Sequence, residues 1–303
     1  MKQIFVGLIL VCLSSVGAHA QWRDETGTLV AEGDLIANLA ASDFVLLGEV
    51  HDNPTHHELQ ARLLKGLVDA GRRPAVVWEM VPVERQIDID RVLARKGAGR
   101  GAFALAEAVG WSDSGWPNFA IYAPIMKVAM EADLPILAGG ISREMAMEIM
   151  GIGLDAFVTG RGWETGSIGA AAQEVQLDAV FEGHCRLMPR ERLAPMLDIQ
   201  VARDIAMAEV LAGAVTDGAD GAVLIAGHGH VRADAGVPLH LARLSPDTKV
   251  AAVGLLEHEG TDPLPAVPQF HYVSATAPIE RPDPCEDLRK RFGEHRSGTS
   301  AAD

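Results

Sequence analysis

Four short stretches of this 303-residue chain bring histidine, glutamate and glycine together in ways that could do chemistry. They are Gly48-Glu49-Val50-His51, Trp78-Glu79-Met80, Gly139-Gly140 and Gly227-His228-Gly229-His230-Val231-Arg232. Two of them share the spacing Gly-x-x-His, from Gly48 to His51 and from Gly227 to His230. Imidazoles with carboxylates suit zinc, manganese or iron. His51, His230 and either Glu49 or Glu79 would supply three ligands to a divalent metal and leave a position open for water. The remaining glutamate would then serve as general base. The plainer alternative is that each histidine caps a strand end or bonds loop backbone. Arg232 reads either as a partner for Glu49 or a ligand carboxylate, or as half of an internal ion pair that holds its loop. Arg203 and Asp204 carry the same two readings. The Gly-His-Gly-His run lacks the Gly-Lys-Ser/Thr ending of a phosphate-binding loop, and the chain has neither a GxSxG elbow nor a CxxCH haem-attachment motif.

These residues matter together only if the fold brings them to one place. The run FVLLGEV over 44–50 reads as a buried strand. Asn53-Pro54 then caps a helix whose Leu59, Leu63, Leu64 and Leu67 recur at helical spacing as far as Gly71. A second strand is expected over 75–80, with helix from Pro82 to about Arg95 and a glycine-rich break after it. Further expectations are a helix over 119–132, a strand over 134–138 and a helix opened by Ser142. Residues 151–175 read as an insertion or a flexible helical excursion, and 189–214 as a helix bent at Pro195. Strands follow over 222–226 and 249–256, with an edge strand over 269–275. Alternating strands and helices argue for an α/β fold with a mainly parallel sheet covered on both faces. Right-handed crossovers place all strand-to-helix loops at one sheet edge, where ligands of open α/β sheets bind. All four stretches fall at that edge.

Tyr122 lies in WPNFAIYAPI, a cluster that stands out in a chain with only 5% aromatic residues. Phe119, Tyr122, Ile125, Met126 and Ala129 share a helical face. That face is either core or interface, or an apolar wall for a flat ligand with the phenol as iron ligand. The cap at Asn53, Pro54 and His56 could also attract a carboxylate. His57 reads as a solvated side chain.

Composition bounds the partners. A net charge of −15 argues against nucleic acid as a general partner, and 48% hydrophobic residues suffice for a sizeable core. Lys2, an apolar run from Ile4 to Gly17 and Ala18-His19-Ala20 read as an export signal cleaved after Ala20. No later stretch is apolar enough to span a membrane. The expected product is periplasmic or secreted, divided as signal peptide 1–20, extension 21–42, α/β domain 43–275 and tail 276–303. An oxidising compartment permits a disulfide between Cys185 and Cys285, the alternative being two unpaired thiols.

The segments FVLLGEVHDNPTHHELQ, VVWEMVPVERQ, WPNFAIYAPIMKVA, PILAGGISRE, HCRLMP, QVARDIAMAEVL and IAGHGHVRADAGVP resemble, in content and order, the ChaN-like haem-binding uptake proteins. Together they cover about 43–256. The resemblance implies a three-layer α/β/α fold and haem binding linked to iron acquisition. It also implies haems held in pairs between the subunits of a homodimer, with a tyrosine as iron ligand. Tyr122 lies in a matching segment, and Cys285 in DPC fits the tail of such proteins. Cys12 lacks the small preceding residue of a lipid-anchoring site, so membrane anchoring does not carry over. The wider Tiki/TraB/EreA-like superfamily implies a second activity, metal-dependent hydrolysis of peptides or esters, which His51, Glu79 and His230 would match. Tyr122, His51 and His230 are accordingly the candidate haem-binding residues.

Overall fold

The computed structural model describes residues 20–162, 168–260, 264–283, 285–286 and 288–290. The expected signal segment, apart from Ala20, and the last residues of the tail lie outside these. Eight strands form one sheet in the order β2-β1-β8-β7-β3-β6-β4-β5. The parallel strands are β3 (Phe44–Glu49), β4 (Ala75–Pro82), β5 (Ile136–Gly140), β6 (Ala222–Gly227), β7 (Val250–Glu257) and β8 (Tyr272–Thr276). Two short N-terminal strands, β1 (Trp22–Asp24) and β2 (Leu29–Val30), extend the sheet antiparallel beyond β8.

The apolar runs form strands buried on both sides because their alternate side chains feed two cores. Val45, Leu47, Val76, Trp78, Val223 and Ile225 pack on one face with helices α1 (Glu32–Ala40), α2 (Pro54–Asp69), α3 (Gln86–Leu93), α4 (Ala102–Ala108) and α5 (Ala123–Glu131). Phe44, Leu46, Val77, Leu224 and Ala226 pack on the other with α9 (Ala194–Thr216) and α10 (Val237–Leu244). The result is the three-layer α/β/α arrangement. Outside α9, helices α6 (Arg143–Ile152), α7 (Leu154–Gly160) and α8 (Ala170–Gly183) form a further lobe. There Ile149, Phe157 and Val158 bury themselves against the outer face of α9.

The chain crosses from one face of the sheet to the other between β5 and β6, and β6 then inserts between β3 and β4. Three strands that are far apart in sequence thereby become neighbours. Gly48 permits the close approach: a Cβ there would come within 2.4 Å of Val231 and 2.7 Å of the His228 backbone.

Several expectations need correcting. Pro195 does not bend a helix; it sits in the first turn of α9, where a missing N–H costs nothing. Of the two readings of 151–175, the helical one holds: the segment carries α7 and the start of α8. The strand over 272–276 is internal to the sheet, because β1 covers its outer side. The tail is fastened at its start: Arg281 bonds Asp52 and Glu257, the latter also held by Asn53. Cys185 and Cys285 form a disulfide with Cα atoms 5.6 Å apart, tying the tail to the end of α8.

A candidate site of two acid-backed histidines

Glu49 ends β3, Glu79 lies within β4, and Gly227 ends β6, so the central part of the sheet delivers the site. His51 and His230 follow in the turns just beyond β3 and β6. Glu79 sits between them, with its side chain only 2% exposed. Its Oε2 accepts from the Gly227 backbone N–H at 2.8 Å and lies 3.9 Å from His51 Nε2. Its Oε1 lies 3.3 Å from His230 Nε2 and 3.6 Å from Arg203 Nη1. Gly227 is glycine for a reason: a Cβ there would come within 2.8 Å of His51 Nε2.

Each imidazole is also backed by a second acid. His51 Nδ1 donates to Glu49 Oε1 at 2.9 Å. A carboxylate can only accept, so this bond fixes the proton on Nδ1 and turns Nε2 toward the opening. The ring is 31% exposed and lies 4.7 Å from Trp116, centroid to centroid. His230 Nδ1 donates to Asp204 Oδ1 at 2.6 Å, and Asp204 Oδ2 accepts from Gln176 Nε2 of α8 at 2.7 Å. Both nitrogens of His230 thus face acids. Burial opposes its charge, but Glu79 and Asp204 hold it protonated, with a pKa raised to about 10. Burial likewise works against ionised Glu79, yet His230, His51 and Arg203 pull its pKa far below the usual carboxylate range. For His51, burial lowers the pKa and the bond to Glu49 with the charge of Glu79 raises it, with a net rise.

Glu49 is the hub of a buried support. Its Oε1 also accepts from the Tyr122 hydroxyl at 2.9 Å, and its Oε2 lies 3.1 Å from His57 Nδ1. His57 Nε2 donates to the His51 carbonyl at 2.9 Å. One expectation falls here, and one pair of alternatives is decided in favour of core. His57 is not solvated but fully buried, and Tyr122 is not the wall of an open slot but enclosed. Burial and the neighbouring Glu49 push the phenol pKa up, so Tyr122 is a hydrogen-bond donor to the acid that orients His51.

The other candidates separate clearly. Arg232 bonds Asp234 through two contacts of 2.9 and 2.7 Å, the internal pairing that holds its loop. The Asn53 cap accepts from Thr55 N–H, and its amide donates to Glu257 at 2.8 Å, so it is occupied within the protein. His56 accepts from Val50 N–H and bonds Thr276, and burial lowers its pKa to about 4. Asp204 takes the internal-pair reading, with His230 as its partner, and Gln176 is the site residue that the sequence leaves unassigned. His51, Glu79 and His230 come together, but no group of three or more His, Cys, Asp or Glu among the described residues has a metal-holding arrangement. Glu79 Oε1 and Arg203 Nε are buried without a hydrogen-bond partner among these residues.

The donor set suits haem iron through His51. An imidazole whose Nδ1–H is held by a carboxylate offers Nε2 as a basic ligand, the way metal-bound histidines are ordinarily supported. His230, clamped by acids on both sides, offers no comparable lone pair.

No curated protein matches the chain. Among solved structures, ChaN of Campylobacter jejuni, described with cofacially bound haem, has a TM-score of 0.67 at 24% identity over 84% of this chain and 96% of that one. The likeness establishes a shared fold. An erythromycin esterase, EreC, reaches a TM-score of 0.46 at 16% identity, covering 89% of this chain and 86% of its own. The type III effector HopBA1 reaches 0.45 at 13% identity, covering 80% of this chain and 91% of its own. The model of the family described as haem-binding uptake, Tiki superfamily, ChaN, matches residues 35–241, and the chain belongs to that family.

Proposed function

We propose that this is an exported haem-binding protein that acts in haem or iron uptake or handling, with His51 as the iron ligand. The observation that carries the reading is the half-open imidazole of His51, its Nδ1 held by Glu49 and its Nε2 free of any protein hydrogen bond among the described residues. Family membership supports haem as the ligand, and Trp116 beside His51 adds an aromatic surface. Export draws support from the leader-like N-terminus and from the Cys185–Cys285 disulfide, since such bonds persist in oxidising compartments. A homodimer sharing haem between subunits belongs to the same proposal, and sedimentation with and without haemin tests it. Haem supplies redox-active iron and a large apolar surface. The protein's part is to hold and orient it.

Haemin titration followed in the Soret region tests the reading. A stoichiometric shift is expected in the wild type and in Tyr122→Phe, and its loss in His51→Ala. No stoichiometric shift in the wild type overturns haem binding.

One observation favours a second reading, hydrolysis of an ester or peptide with a divalent metal. The buried Glu79 Oε1 makes no hydrogen bond among the described residues and faces His230 and Arg203, where a water could be polarised. Metal analysis of protein purified without chelator, with ester hydrolysis by wild type and Glu79→Gln, decides it. Metal-free protein without Glu79-dependent turnover removes it.

A further inference from the structure

We propose that Arg203 is the anion-binding residue of this cleft and takes a carboxylate of the bound ligand, which on the haem reading above is a propionate. Arg203 lies on α9 next to Asp204, with its side chain 29% exposed. A guanidinium carries five donors in a fixed fork that matches a carboxylate two-to-two. Arg203 places none of them in a side-chain hydrogen bond among the described residues. Its nearest acid oxygen is Glu79 Oε1 at 3.6 Å, and its Nε is enclosed without a partner.

Neither of the acids beside it, Asp204 and Glu79, takes a hydrogen bond from it. Both oxygens of Asp204 are taken, one by His230 at 2.6 Å and the other by Gln176 at 2.7 Å. Glu79 gives Oε2 to the Gly227 amide at 2.8 Å, and its Oε1 lies 3.3 Å from His230 and 3.6 Å from Arg203 with no hydrogen bond to either. Two other arginines near this sheet edge are different. Arg232 makes two bonds to Asp234, and Arg281 makes four to Asp52 and Glu257. Of these three, Arg203 alone keeps its donors, and it is the one beside Glu79, the acid shared by His51 and His230. In a chain of net charge −15, an anionic ligand needs such a local cation to be held at all. A carboxylate at the exposed end of Arg203 would meet guanidinium donors that no protein acceptor among the described residues holds, and charge-assisted bonds of this kind are the strong ones.

The inference rests on the haem reading, and the test separates the two. Haemin and haemin dimethyl ester, whose propionates are blocked, are titrated against wild type, Arg203→Ala and Arg203→Lys, with folding checked by thermal melting. Expected is an at least tenfold preference of the wild type for haemin over the ester. Arg203→Ala should lose that preference while the Soret position of its haemin complex stays unchanged, and Arg203→Lys should keep part of it. A preference that survives in Arg203→Ala, or is absent from the wild type, overturns the role of Arg203 and leaves haem binding standing. Failure of the wild type to bind haemin at all overturns both.

Discussion

His51 and His230 occupy matching positions, each closing a Gly-x-x-His segment and each with a buried acid on Nδ1, yet their surroundings make them different chemical groups. His51 has one close acid, and its Nε2 is 3.9 Å from the next. His230 has acids at 2.6 and 3.3 Å and is 13% exposed against 31%. The first is, on the proposed function, a ligand held ready. The second is a fixed cation that holds the Glu79 pKa down and partly offsets the rise that burial imposes on Asp204. Similar motifs thus do different work according to how many acids close on them.

The largest effect that would break this contrast is on stability. Removing one member of a buried charge cluster leaves the others unpaired, at a cost of about 3–5 kcal/mol. His230→Ala is expected to pay that in chemical denaturation, and His51→Ala much less, while only the second selectively removes haem ligation. Equal losses of stability would erase the distinction.

The pH dependence should differ in sign between regions. His230 has a raised pKa of about 10, so its contribution is full below the unfolded value near 6.5 and is lost as pH rises through 10. His56 and His240 are buried neutral, each lowered to about 4. Their contribution is present above 6.5 and disappears as pH falls toward 4, on the order of 3 kcal/mol each. Denaturant melts across pH should show both limbs, and His230→Gln should flatten only the alkaline one. An alkaline limb unchanged in that variant contradicts the fixed-cation assignment.

A smaller effect is expected at the supports. Gln176→Ala should cost about 1–2 kcal/mol in the same denaturant melts by removing a buried bond to Asp204. Tyr122→Phe should cost about 1 kcal/mol and leave the haem spectrum unchanged. A spectrum that changes in Tyr122→Phe would return the phenol to the role of iron ligand.

The same contrast explains what the sequence could reveal. Glu49 and His51 are two residues apart at a strand end, and the rule that α/β ligands gather at one sheet edge brings Glu79 and His230 beside them. Asp204 could not be found that way. It lies 26 residues before His230 on a helix whose packing alone brings it there, and Gln176 reaches it from α8 in a stretch with little pattern. His57 was legible in principle, because 57, 60, 64 and 67 continue one buried helical face, but a histidine on that face reads as polar. The internal place of β8 depends on β1, three residues that pattern alone does not mark as strand.

The most direct test of the account is resonance Raman spectroscopy of the ferrous haem complex. The account predicts an iron–histidine stretch in the wild type that persists in Tyr122→Phe and vanishes in His51→Ala. An oxygen-ligated iron, or a stretch that survives without His51, would contradict it.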